Sequence, residues 1–150
     1  MTKINLMLDN VLNKLKIKYN YKEEMNAYFT KVNLPNDEIM NIALVVEDKI
    51  EAIKLIAPTF YKISNNTLRQ TKNYIAEFNL NSIVYGTLSV HEFKKRRSVT
   101  YTTGIMITKS KSEQVLLEEL QEIFSYVGFL HKRIGIDLDK NNNALEKSKK

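Results

Sequence analysis

Three segments of the chain repeat apolar residues every three or four positions, the spacing of an amphipathic helix. The first follows Thr2, a residue type that caps helices, and its pattern ends near Ile17. The second begins at residues 64–66, where Ser and Asn offer caps. The third follows residues 110–113, which fit a capping box with Ser110 as the cap, and Gly135 predicts its end. The stripe positions are Ile4, Leu8, Val11, Leu12 and Leu15, then Leu68, Thr71, Tyr74, Ile75 and Phe78, then Leu116, Leu120, Ile123, Val127 and Leu130.

Five other segments alternate apolar and polar residues or are rich in β-branched residues, as strands are. We predict strands at 25–32, 39–46, 50–57, 83–90 and 99–108. The turn at 34–37 contains Pro, Asn and Asp, and a tight polar turn follows at 47–49. Pro58 is predicted to end the third strand, because proline cannot donate a hydrogen bond to a ladder.

The predicted element order is therefore α-β-β-β-α-β-β-α. Short polar turns between consecutive strands favour antiparallel pairing. The fold class is α+β, a five-stranded antiparallel sheet with helices packed on one face. We predict one domain over residues 1–138 and a polar, lysine-rich tail, frayed or disordered, over residues 139–150.

Composition argues against a catalytic centre and for an ordinary globular chain, 43% hydrophobic and 27% charged. There are no cysteines, which excludes disulfides and thiolate metal sites. His91 and His131 form no metal-binding or catalytic spacing, and the four glycines form no phosphate-binding loop. We expect no enzyme activity, no cofactor and no metal. Gly86 and Gly104 in neighbouring strands indicate either close helix–sheet packing, or a bulge or close approach of another backbone or a ligand.

The chain shows no signal for membrane insertion. Residues 1–6 lack the apolar core of a signal peptide, and the longest apolar run, 42–46, is far shorter than a membrane span. We therefore expect a cytoplasmic location and no membrane partner. The net charge of +6 permits weak binding of nucleic acid or of acidic proteins without requiring it.

The sharpest charge feature is the turn between the last two strands. Lys94, Lys95, Arg96 and Arg97 are consecutive there, and Phe93 and Tyr101 flank them. Cations could contact phosphates while the two rings stack on bases. A solvated turn that opposes edge-to-edge aggregation is the other interpretation.

The element order and local sequence resemble the bacterial YbjN family. The matching residues are Phe78-Asn79 at a helix end, the strand 84–88 around Gly86, the strand 99–105, and the helix 116–130. The resemblance covers residues 2–136. It implies the fold that YbjN shares with class I chaperones of type III secretion. It also implies a small, non-enzymatic, often dimeric module that binds other proteins.

Two functional hypotheses follow. The first is a non-enzymatic protein-interaction module that binds a protein partner and itself, as a homodimer through the hairpin 83–108 and adjoining helices. Aromatics expected at the surface, such as Tyr28, Phe60, Tyr61 and Phe93, support that expectation. The alternative is a nucleic-acid-associated accessory protein that uses the turn 94–97, from a mobile element for instance.

Overall fold

The computed structural model describes residues 2–33 and 39–148, with side chains other than those of 59, 60, 65, 93 and 141–148. The turn predicted at 34–37 lies outside the described residues. The elements are α1 (Lys3–Lys14), β1 (Tyr19–Lys22), β2 (Ala27–Asn33), β3 (Ile39–Glu47), β4 (Ala52–Ile63), α2 (Leu68–Asn81), β5 (Thr87–Phe93), β6 (Arg96–Met106) and α3 (Glu113–Ser148).

The strands form one antiparallel sheet of six in the order β1-β2-β3-β4-β6-β5. The α+β class and the antiparallel sheet are confirmed. The predicted count of five strands and the predicted element order are wrong, because β1 precedes the other strands. β1 has only four residues, so its alternation of Tyr19 and Tyr21 with Asn20 and Lys22 is a short and weak signal in the sequence. Its pairing with β2 places Tyr19 and Tyr21 opposite Thr30 and Tyr28, and that contact makes it a strand.

Pro58 does not end β4. The pairing of β4 with β6 passes from Ala57 opposite Tyr101 to Tyr61 opposite Val99, so β4 bulges between these pairs. A bulge position needs no ladder N–H, so proline is tolerated there. The carbonyl oxygen of Pro58 accepts hydrogen bonds from the hydroxyls of Ser98 (2.9 Å) and Thr100 (3.0 Å).

One face of the sheet packs against the helices. A single core cluster joins residues of α1, α2 and α3 to inward-facing strand residues such as Leu44, Leu55 and Tyr101. The α1 stripe and its cap are confirmed, since Thr2 and Asn5 form a capping box. Phe29, Ala43 and Ile56, on the opposite face of the same strands, do not belong to that cluster.

The helix α3 differs from its prediction at both ends. Ser112, not Ser110, caps it, since the Ser112 hydroxyl accepts from the Val115 N–H at 3.2 Å. The helix also continues through Gly135, because Ile134 and Leu138 extend the buried stripe by two further turns. Core burial there outweighs the modest helix penalty of one glycine.

The hairpin β5–β6 is secured by Asn79 at the end of α2. Its side-chain amide donates to the Leu88 carbonyl (2.8 Å), and its oxygen accepts from the Leu88 N–H (3.0 Å). Asn79 thereby acts as a short strand partner for β5, which gives the Phe78-Asn79 motif a physical role.

Candidate interaction surfaces

The predicted basic turn is a two-residue hairpin loop. Lys94 and Lys95 have φ values of 49° and 66°, and Phe93 pairs with Arg96. Two consecutive positive φ values define a type I′ turn, which normally selects Asn-Gly. Lys94, Lys95 and Arg96 are exposed, whereas Arg97 is half-buried with its Nε 3.8 Å from a Glu92 oxygen. The turn therefore presents three exposed cations.

Tyr101 does not share that surface. Its side chain is fully buried in the core, and its hydroxyl donates to the Tyr85 carbonyl at 2.9 Å. Burial raises the pKa of Tyr101 to about 12, so the phenol is protonated at neutral pH and can donate this bond. No ring face of Tyr101 is open to an incoming base. The structure therefore separates Tyr101 from the cations with which the sequence pattern grouped it.

The histidines do not come together either. His91 is exposed on β5 and His131 is half-buried on α3. Of the glutamates on α3, Glu119 pairs with Lys111 at 2.8 Å. Across the described residues, no group of three or more His, Asp and Glu side chains is placed to hold a metal ion.

The sheet face opposite the helices, which we call the open face, carries a pattern that the sequence did not reveal. Phe29, Ala43 and Ile56 lie directly opposite one another on β2, β3 and β4, and form an apolar row across the strands. The neighbouring row on the same face lies two residues before Phe29 and Ile56, and it contains Lys22 on β1 and Lys54 on β4. Two positions in the other direction, Lys31 of β2 stands opposite Asn41 of β3.

An apolar groove of about 570 Å³ lies on this face. Phe29 and Ala43 line it, Lys18 and Lys31 border it, and Pro58 closes it on the β4 side. Pairing of β3 with β4 reaches only as far as Ala43 opposite Ile56, beyond which β4 enters the bulge. The groove therefore exists because the bulged β4 diverges from β3.

Positive charge surrounds the groove and the apolar row: Lys18 and Lys31 line the groove, and Lys22 and Lys54 lie in the row beyond Phe29 and Ile56. Lys18, Lys22, Lys31 and Lys54 are exposed, and no carboxylate forms an ion pair with them in the part of the chain that the structure describes. The Lys22 ammonium lies 5.1 Å from the centre of the Phe29 ring. Phe29 and Lys31 are two positions apart in the sequence, as are Lys54 and Ile56, so within each strand the sequence places the two side chains on the same face. Only the strand register shows that these residues share one surface.

Ile39 of β3, 61% exposed, also lies on the open face, two positions before Asn41, whereas several other exposed apolar side chains lie elsewhere. Leu80, Val84 and Tyr85 are 83%, 71% and 54% exposed near the end of α2, and Phe129 and Ile136 are exposed on α3. Tyr28, expected at the surface, is instead fully buried and donates a hydrogen bond to the Asn5 carbonyl. The half-buried Tyr61 packs against the core.

Comparison with known proteins identifies the fold. The crystal structure of YbjN from E. coli, described as a candidate transcription regulator, superposes with a TM-score of 0.63 over 91% of this chain and 90% of that one, at 8% identity. The chain has a YbjN-like fold. The predicted resemblance is thus confirmed at the level of the fold. No family model and no curated protein matches the sequence.

The YbjN-like fold here has no membrane-spanning helix among its described residues, since none is both long and apolar enough.

Proposed function

We propose that this chain is a non-enzymatic protein-interaction module with a YbjN-like fold, which binds a protein partner and also itself. The observation that supports this proposal most is the apolar groove on the open face. Helices cover one face of the sheet, whereas the opposite face has an apolar row outside the core cluster, in which Phe29 and Ile56 are half-buried and Ala43 is 9% exposed. Apolar surface of this kind on a small domain commonly marks a site where another protein docks.

Affinity capture from the native host tests the proposal. The tagged protein serves as bait, with and without nuclease treatment, and both protein and nucleic acid in the eluate are identified. We expect one or a few proteins in near-stoichiometric amount that nuclease treatment does not remove. Recovery of nucleic acid alone, with any protein lost after nuclease, would contradict the proposal.

A nucleic-acid-associated function is the second candidate. Two observations favour it: the three exposed cations at the tip of the β5–β6 hairpin, and the description of the structurally similar E. coli YbjN as a candidate transcription regulator. We rank it second because the buried Tyr101 removes one of the two rings expected to stack on bases.

A further inference from the structure

We propose that the open face binds an acidic amphipathic helix of a partner protein, seated along the row Phe29–Ala43–Ile56. This inference rests on the proposed function and specifies the surface and the chemistry of the partner.

The dimensions of the open face match a helix. Residues two apart on one side of a strand are separated by about 7 Å, so Lys31 and the row of Lys22 and Lys54 are about 14 Å apart across the apolar row. An α-helix with its side chains is about 10–12 Å wide. The row spans β2 to β4, or about 10 Å, which matches about six or seven helical residues.

The charge of the open face selects an acidic ligand. Lysines stand on both flanks, and among the described residues of the nearby strands Glu47, near the end of β3, is the carboxylate on this face. A helix with an apolar stripe and glutamates beside it would place carboxylates within reach of Lys31 on one flank and Lys54 on the other. The apolar stripe would cover Phe29, Ala43 and Ile56.

A helical protein ligand fits better than nucleic acid. The groove is bordered by lysines and contains no arginine, the side chain that grips phosphate bidentately. Its lining has two half-buried aromatic residues, Phe29 and Tyr19, and the ring of Tyr19 packs edge-on against the buried Tyr28. Single-stranded nucleic acid is usually held by several aromatic rings in series.

Fluorescence anisotropy with a synthetic peptide tests the inference. The probe is a fluorescein-labelled peptide of about 14 residues, roughly four turns, with leucines at i, i+3, i+4 and i+7 and glutamates beside them. The comparison probes replace glutamate by lysine, or leucine by serine, and a single-stranded oligo-dT of similar length is included. We expect saturable binding of the Glu–Leu peptide alone.

Matched variants locate the binding surface. Lys31→Glu/Lys54→Glu should weaken binding of the Glu–Leu peptide by at least about tenfold, because both flanks become repulsive. Lys72→Glu/Lys109→Glu makes the same change in net charge at exposed positions away from the open face and should leave binding within about twofold. Thermal melts of both variants check that the fold is retained.

Three outcomes would overturn the inference: equal weakening by the two double variants, binding of the Lys–Leu peptide as tight as that of the Glu–Leu peptide, or tighter binding of oligo-dT. A captured partner that binds Lys31→Glu/Lys54→Glu as well as the parent protein would also overturn it, while the proposed function stands. Peptide binding with the expected variant sensitivity, but no captured protein, would instead support this surface and count against the proposed function.

Discussion

At position 86 only glycine fits, because residues of β6 that are distant in the sequence lie against its backbone. Its φ of 77° lies in the region that favours glycine, and a Cβ placed there would collide with the Thr102 carbonyl oxygen and lie 2.8 Å from the Tyr101 hydroxyl. Of the two explanations left open by the sequence, the structure supports close approach to another backbone, that of β6. Gly104 has no such neighbour, since nothing lies within 4 Å of the equivalent position.

Gly86→Ala should therefore lower the free energy of unfolding by at least about 2 kcal/mol, from the left-handed backbone and the overlap with β6. Gly104→Ala is the matched control and should be neutral or stabilising by up to about 1 kcal/mol. Urea denaturation of both variants measures the difference. Equal stability of the two would contradict this account of Gly86.

Among the elements, α3 contributes the longest buried stripe. Leu120 is fully buried near the N-terminal end of that stripe, one turn after the fully buried Leu116. Leu120→Asp should lower the free energy of unfolding by about 3–5 kcal/mol, because it buries a carboxylate without a partner. Gln121→Asp, on the exposed side of the same helix, should change it by about 0.5 kcal/mol or less. If Leu120→Asp melts like the parent protein, the two-layer packing is wrong.

The β5–β6 hairpin carries its own local strain, because Lys94 and Lys95 occupy a turn that prefers Asn-Gly. Lys94→Asn/Lys95→Gly should raise the free energy of unfolding by about 1 kcal/mol. Lys94→Gln/Lys95→Gln removes the same charges but keeps the strain, so it should not stabilise the protein. Thermal and urea unfolding of the two variants distinguish strain from charge.

The same two variants test the nucleic-acid hypothesis. If the turn contacts phosphates, both should weaken binding equally and reduce the slope of log affinity against log salt by about 0.7–0.9 per lost contact. We expect weak affinity already in the parent protein. Tight, sequence-selective binding at physiological salt would place the second candidate function above the first.

For the whole molecule, self-association remains a prediction. Leu80, Val84 and Tyr85 form exposed apolar surface beside the hairpin expected at the interface, and Met106 at the end of β6 is 59% exposed. We predict a two-fold homodimer, which should bury about 1,000 Å² or more in total. Sedimentation equilibrium at micromolar concentration should give twice the monomer mass of 17.5 kDa. A mass of one chain across the concentration range would contradict the dimer and favour a different protein as the ligand of this surface.

The sequence by itself determined the features that depend on local periodicity. The stripes of α1, α2 and α3, the alternation in β2 and the apolar run of β3 depend on residues a few positions apart, since helix and strand periods are set by the backbone. Thr2 as a cap and the α+β class follow from the same local rules. The resemblance to YbjN also rested on short motifs such as Phe78-Asn79, and the fold confirms it.

Only the tertiary structure decided what depends on pairing between distant residues. The four-residue strand β1 exists because β2 pairs with it, and Pro58 is tolerated within β4 because the register with β6 shifts there. The burial of Tyr101 and the joining of Phe29, Ala43 and Ile56 into one row are likewise consequences of register. Strand register brings together residues that are far apart in the chain. The local order of apolar and polar residues does not determine which residues pair across neighbouring strands.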